Sequence, residues 1–286
     1  MSIKIVTDSA ADLPQNIIDE YGIKVVPLMV MLDDQVFKDG ETIKAEELFQ
    51  GMREGKVYKT SQVSVGDFTE LFKSYIEEKQ DIIYIAFSSA LSGTYQSAVM
   101  AKNQVLDENA GISIDVVDTK CASLGFGLVV YQAAKMAREG KSREEILAAV
   151  DFYSKHMEHI FTVDNLEYLY RGGRVTRTSA FLGGLLNIKP LLHVEEGRLV
   201  PLEKIKGRKR VLKRMLEIMK ERGRDFDSQT IGISHGDDLD TALELKGLIQ
   251  EELGADDFVI NTIGGTIGAH AGPGTIALFF LNKLPE

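Results

Sequence analysis

IIYIAFSSALSGTYQSA, residues 82–98, is the stretch that decides the fold class. IIYIAF is a continuous apolar run, the pattern of a strand buried on both faces. It runs into a Ser/Gly loop and then into a helical stretch over 92–106. Strand, tight polar loop and helix make the first half of a βαβ unit. The first turn of such a helix has unpaired backbone N–H groups and the positive end of the helix dipole. Ser92 and Thr94 add hydroxyls, and Gly93 lets a ligand approach the backbone. The segment suits a small anion such as a carboxylate or phosphate. The plainer reading, that Ser92 only caps the helix, stays open on the residues alone.

Upstream, residues 3–7 and 23–32 read as strands and 46–53 as a helix. Residues 67–79 carry Phe68, Leu71, Phe72, Tyr75 and Ile76 on one helical face, behind a capping box of Ser64 and Asp67. Downstream come a strand over 112–117 and helices over 123–138 and 143–155, the second opened by Ser142 and Glu145. This alternation predicts a mainly parallel sheet with helices on both faces, a three-layer α/β/α arrangement.

The order changes near 157–164. A strand over 160–163 is followed by short helices over 165–170 and 179–186. Residues 191–195 and 199–204 flank Glu196-Gly197, a hairpin turn. Then follow a basic helix (208–222), strands over 230–234 and 258–262 about a helix (239–253), and a last apolar run over 275–281. The expectation is two α/β domains, 1–160 and 161–286, the second with a mixed or antiparallel sheet.

Composition narrows the function. The 286 residues carry a net charge of −10, which opposes general nucleic-acid binding because that needs a positive footprint. Cys121 is the single cysteine, so neither an internal disulfide nor a cysteine zinc cluster can form, and a buried, inert thiol is expected. The start has no basic-then-apolar leader. The apolar runs 25–32 and 275–281 fall far short of the roughly 20 residues that span a bilayer. A soluble cytoplasmic protein without stable membrane insertion is expected.

Three further features bear on chemistry. Lys59-Thr60-Ser61-Gln62 is a short polar segment that reads as a turn. Residues 264–274, GGTIGAHAGPG, place five glycines around His270 and permit close packing or close ligand contact. Seven Lys or Arg fall within residues 204–214, either a solvated helix face or a docking patch for an anionic group or acidic partner. His156 and His159, three apart, lack an H-E-x-x-H frame for a metal. There is no G-x-x-x-x-G-K-[ST] loop, no G-x-G-x-x-G after a strand and no G-x-S-x-G elbow. Ser92, His270 and Asp8 supply the residue types of an acyl hydrolase without its motif.

Taken together, Ile5-Val6-Thr7-Asp8-Ser9, Asp12-Leu13, Thr60-Ser61-Gln62, Ser88-Ser89, Ser92-Gly93-Thr94-Tyr95, Tyr168-Leu169, Arg171-Gly172-Gly173-Arg174, Gly268, His270 and Gly272-Pro273-Gly274 resemble the DegV family, in order and over essentially the whole chain. The resemblance implies two α/β domains with a long-chain fatty acid between them. It implies a carboxylate held by the hydroxyls of Thr60 and Ser92, within the motifs that also hold Ser61 and Gly93. Arg171, Arg174 and His270 would lie near the mouth. It further implies a carrier with no catalytic residue, metal or cofactor, which presents its lipid to a separate fatty acid kinase. The chain departs from many relatives at Lys206, where they carry Arg. Lysine keeps the charge but loses the planar fork.

Overall fold

The computed structural model describes residues 3–108, 112–175 and 188–285; the short helix expected over 179–186 lies outside them. In chain order the elements are β1 (Ile3–Asp8), α1 (Gln15–Tyr21), β2 (Lys24–Val26), β3 (Met29–Leu32), β4 (Gln35–Lys38), α2 (Ala45–Arg53), β5 (Lys59–Ser61), α3 (Val65–Glu77), β6 (Asp81–Ala86), α4 (Thr94–Glu108), β7 (Ile114–Asp118), α5 (Ser123–Arg138), α6 (Arg143–His156), β8 (Met157–Thr162), α7 (Glu167–Arg171), β9 (Ile188–Glu195), β10 (Arg198–Lys206), α8 (Arg208–Arg222), β11 (Ile231–His235), α9 (Leu239–Leu253), β12 (Phe258–Thr262), α10 (Gly265–Ala271) and β13 (Ile276–Leu281).

The N-terminal half is the expected α/β/α unit. Its sheet is all parallel, in the order β2-β1-β6-β7. Both faces of β6 are buried, because α3 and α4 pack on one side through Phe68, Phe72 and Ala98, and α1, α5 and α6 pack on the other. Both predicted capping boxes form, at Ser64–Asp67 and Ser142–Glu145. The C-terminal sheet is mixed, in the order β10-β9-β8-β13-β11-β12, with only β11 and β12 parallel. Helices α8 and α9 cover one of its faces. The turn at Glu196-Gly197 forms with φ of 48° and 76°, the left-handed pair of a tight hairpin. β8 pairs along its full length with β13, so the boundary expected at 160/161 runs through a strand of this sheet.

Helix α5 joins the two halves. Leu124, Phe126, Val129, Val130 and Ala133 are all buried, in one cluster with Ile83 and Ile85 of the parallel sheet and Phe161 and Phe279 of the mixed sheet. The first half of α5, residues 123–130, is buried on every side, and a sheet lies against each flank.

The run 23–32 does not form one strand. Pro27 has no N–H to donate, and the chain leaves the parallel sheet after β2 to enter a small antiparallel sheet, β4-β3-β5. That sheet was not anticipated. Its β5 takes in residues 59–61 of the polar segment read as a turn, and pairs Thr60 with Val30. Residues 265–271 of the glycine-rich segment form α10, which packs on α2 and this sheet. His156 ends α6 while His159 lies in β8, so the two histidines do not share a helix face.

Candidate functional site

A cavity of about 330 Å³ opens where the mixed sheet, the start of α5, the β6–α4 loop, β5 and α10 meet. Phe87, Leu91, Phe161, Leu169, Leu199 and Phe279 make most of its wall apolar. Thr60, Ser61, Ser92, Gly93, Arg174 and His270 all line it. Residues distant in sequence therefore meet at one site.

Two motifs interlock to build the polar end. Helix α4 starts at Thr94, two residues later than expected, and its first turn closes with Ser97 N–H donating to Gly93 O (3.0 Å). Gln62 lies against Gly93, where any Cβ would collide with its amide, and donates to Ser97 Oγ (2.9 Å). Val63 N–H reaches Thr94 Oγ1 (3.4 Å). These contacts bring the Thr60 strand beside the Ser92 loop.

Proton positions follow from the hydrogen-bond partners. His270 Nε2 is 2.7 Å from Thr60 Oγ1, while Nδ1 has no partner and faces Gly172, a position that only glycine can fill. A buried N–H without an acceptor is rarer than an unpaired lone pair, so the ring proton belongs on Nε2 and is donated to Thr60. Burial, then the Arg174 charge, pulls His270 down to about 4, so the ring is neutral at pH 7. Thr60 then has its own proton free. Ser92 Oγ accepts from Thr94 N–H (3.2 Å) and lies 2.9 Å from Thr94 Oγ1. Thr94 Oγ1 takes the Val63 N–H as acceptor and can direct its own proton to Ser92. Both Thr60 and Ser92 are thus left as donors, arranged for an oxygen that only accepts.

Arg174 adds charge. Its guanidinium is half-buried and donates to Leu91 O (3.2 Å) and Gly172 O (2.5 Å), with burial lowering its pKa from the ordinary value. Arg171 is different. It is exposed, sits 5.2 Å from the Tyr168 ring centroid and does not line the cavity. Ser61 lies exposed at the rim.

The hydrolase constellation does not assemble. Asp8 accepts from Tyr84 Oη (2.7 Å), Phe87 N–H (3.1 Å) and Ala10 N–H (3.2 Å), and burial pushes it up to about 6. His270 is bonded to Thr60 and has no carboxylate behind it. Cys121 is buried, with its thiol pushed up to about 12 by burial. Among the described residues no cluster of His, Cys, Asp and Glu could hold a metal ion, and no helix is long and apolar enough to cross a membrane.

The family model described as "Uncharacterised protein, DegV family" matches residues 2–283. The chain belongs to the DegV family. A DegV domain-containing protein of Caldanaerobacter subterraneus subsp. tengcongensis is 41% identical over 281 residues, 98% of this chain and 99% of the relative. The solved structure of a DegV family protein from Thermus thermophilus, described by its fatty acid binding, is 34% identical with a TM-score of 0.88 and covers 98% of this chain and 99% of its own. A DegV family structure from Ruminococcus gnavus with vaccenic acid is 27% identical, also at 0.88, over 98% and 99% of the two chains.

Sequence reasoning missed three contributors. Gln62 stands in the Thr60-Ser61-Gln62 motif, where sequence alone gives it no role, yet it locks that segment to Gly93 and Ser97. Asp39 accepts the first two N–H groups of α10, Gly265 (2.7 Å) and Thr266 (3.0 Å), and so positions the helix that carries His270. Only an Asp-Gly pair marks it in sequence, and that signals a turn. Thr266 lines the cavity and looked like one more residue of a glycine-rich loop.

Proposed function

We propose that this chain binds a long-chain fatty acid in the cavity, with the carboxylate on Thr60 and Ser92, and presents it to a separate fatty acid kinase. The observation that carries the reading is the pair of hydroxyls that each keep a proton for a ligand at the polar end of a mostly apolar cavity. An ionised carboxylate in an apolar site costs several kcal/mol unless it is hydrogen-bonded. Two hydroxyls beside the Arg174 charge meet that need. The tail contributes by burial, at roughly 0.8 kcal/mol per methylene, so about 14 methylenes give on the order of 10 kcal/mol before ordering costs. Gly93, Ser61 and Arg174 frame the head, and His270 fixes the direction of the Thr60 proton. Arg171, on the surface beside them, fits a role toward the partner better than toward the lipid.

The partner reading rests on where the head group sits. Ser61 and Gln62 are exposed and Thr60, Ser92 and Arg174 are half-buried, so the carboxylate end lies nearest solvent, where a second protein can reach it. The chain itself acts as a cytoplasmic carrier and performs no chemistry. Protein purified from bacteria carries about one fatty acid per chain, seen by native mass spectrometry and lipid extraction, and the isolated chain does not consume ATP when fatty acid is added. Repeated extraction without lipid, together with no uptake of added acid, would sink the reading.

A further inference from the structure

A second cavity, of about 360 Å³, adjoins the first. Two residues, His159 and Val194, line both, and on the facing wall Ala122 of the first cavity is preceded by Cys121 of the second. The two cavities differ in chemistry. Most of the first is apolar, whereas Lys120, Asp151, Lys155 and Glu196, all exposed, rim the second. His159 and Val194 are thus a partition between a dry space and a charged one.

The strand registers put this partition at the end of the cavity remote from Thr60. Thr275 donates to Ala271 O and Gly272 O, beside His270, so the start of β13 is the head-group end. Thr275, Ala277 and Phe279 are the lining residues along this stretch, a span of about 14 Å. Phe279 pairs with His159 of β8, Ile160 pairs with His193 of β9, and Val194 pairs with Leu199 of β10. Phe279, His159, Val194 and Leu199 therefore form one row across four strands, and all four line the cavity. The facing wall runs the same way. From Ser92 it passes Leu91 and Phe87 to Ala122, whose N–H donates to His159 Nε2 (3.1 Å). The lobe at Thr266 and Ile267 lies within one turn of His270, about 6 Å along α10, too little for a long chain.

Two members of the row are locked. His159 is bonded through both ring nitrogens and meets Phe279 edge to face, with ring centroids 5.3 Å apart. Gly125 presses on both, since a Cβ there would lie 2.6 Å from His159 Nε2 and 2.6 Å from Phe279 Cδ1. Beyond Val194 the hairpin turns, and Ser88 Oγ donates to Gly197 O (2.8 Å), which pins this end to the N-terminal half.

We infer that Val194, backed by His159, is the wall at which the methyl end of the bound acid stops, so that it sets the longest acyl chain the cavity holds. This rests on the fatty-acid reading above. Each methylene that fits gains apolar burial. A chain that is too long must overpack the row or push its methyl end in among exposed charges, where that gain ends.

The test is a competition titration of the straight saturated acids from decanoate to behenate, each read relative to decanoate. In the wild-type protein affinity climbs roughly tenfold for each added pair of methylenes up to one acid. The next acid falls about tenfold or more. In Val194→Ala the two cavities join, and the longer acids bind within about threefold of the best one. In Val194→Phe the fall comes at least one carbon pair earlier. Because the readout is a ratio of long to short acids, a general loss of folded protein does not imitate it. A fall at the same acid in all three proteins overturns the inference, as does a wild-type series with no fall. In both cases the acids still bind and the fatty-acid reading stands. Binding of none of them would remove that reading and this inference with it.

Discussion

The head-group residues and the other polar residues of the cavity wall use similar chemistry in opposite ways. At the mouth, Thr60 accepts from His270 and Ser92 accepts from Thr94, so each hydroxyl keeps a proton for a ligand. Elsewhere in the wall, Ser123, His159 and Thr275 have their polar atoms tied to protein partners, and they show the ligand little beyond carbon. A serine, a histidine and a threonine thus form part of an apolar wall. What marks a binding group is free hydrogen-bonding capacity, and residue type alone does not report it.

The largest effect that would break this contrast lies at the mouth. Ser92→Ala or Thr60→Val removes one hydrogen bond to a charged acceptor, about 1–3 kcal/mol. That weakens fatty acid binding by roughly 5- to 150-fold. The double variant weakens it further, but by less than the product of the two, because the hydroxyls share one carboxylate. The methyl ester loses little in any of the three variants, since the tail's burial is untouched. Competition titrations of acid against ester read this directly. Equal loss for acid and ester would mean that both residues shape the fold and do not read the carboxylate.

The matching change at His159 acts on stability and leaves discrimination alone. His159→Leu strands the Ala122 N–H without its acceptor, a cost of about 1–3 kcal/mol by denaturant titration, while the acid-to-ester affinity ratio stays at the wild-type value. The effect depends on pH. Burial lowers His159 to about 4 in the folded chain, against an ordinary value of 6.5. Between these values the unfolded chain takes up a proton that the folded chain does not, so this group's contribution is present above pH 6.5 and lost as pH falls toward 4. The buried Asp8 and Asp12, raised to about 6 and about 8 mainly by burial, work in the opposite direction, since their contribution fades as pH rises through those values. Comparing wild type with His159→Leu at pH 7 and pH 5 cancels them. The gap between the two proteins narrows at the lower pH. A gap that does not narrow would show that His159 already takes up its proton in the folded state.

The same contrast explains what the sequence disclosed. The parallel sheet was legible because IIYIAF is apolar without interruption and the flanking helices carry clear stripes and capping boxes. Thr60, Ser92 and His270 stood out through motifs, and the resemblance supplied their joint role. The small sheet was not legible. The strand 59–61 is polar on both faces, so no alternation marks it, and the run 23–32 hid its break because Val26 and Leu28 are apolar on either side of Pro27. Cavity walls such as Leu169 and Leu199 have no signature distinct from core. The occupied states of Ser123 and His159 depend on partners brought in by the fold. Arg171, expected near the mouth, is exposed and does not line the cavity.

The smallest effect on the lipid is expected at the basic start of α8, and it sharpens the comparison by asking what the mouth faces. Arg208 is engaged by Asp164 and Asp238, and Arg214 by Glu203, Glu217 and Glu221. Lys206, Lys209, Arg210 and Lys213 are exposed and make no ion pair with a described residue. Lys209 and Arg210 lie in the first turn of α8, whose Gly207 cap gives no side-chain hydrogen bond, so they oppose the helix dipole at a cost of about 0.3–1 kcal/mol each. Cations placed against their own helix serve something other than stability, and an anionic group or acidic partner face suits them. Lys209→Glu with Arg210→Glu therefore leaves fatty acid affinity within about twofold and stability unchanged or slightly raised. Phosphorylation of the bound acid by an added fatty acid kinase falls at low salt, and the deficit shrinks as salt screens the contact. Phosphorylation at the wild-type rate at low salt would make the cluster an ordinary solvated face, and the partner's approach would then have to be sought at Arg171 and the rim of the mouth.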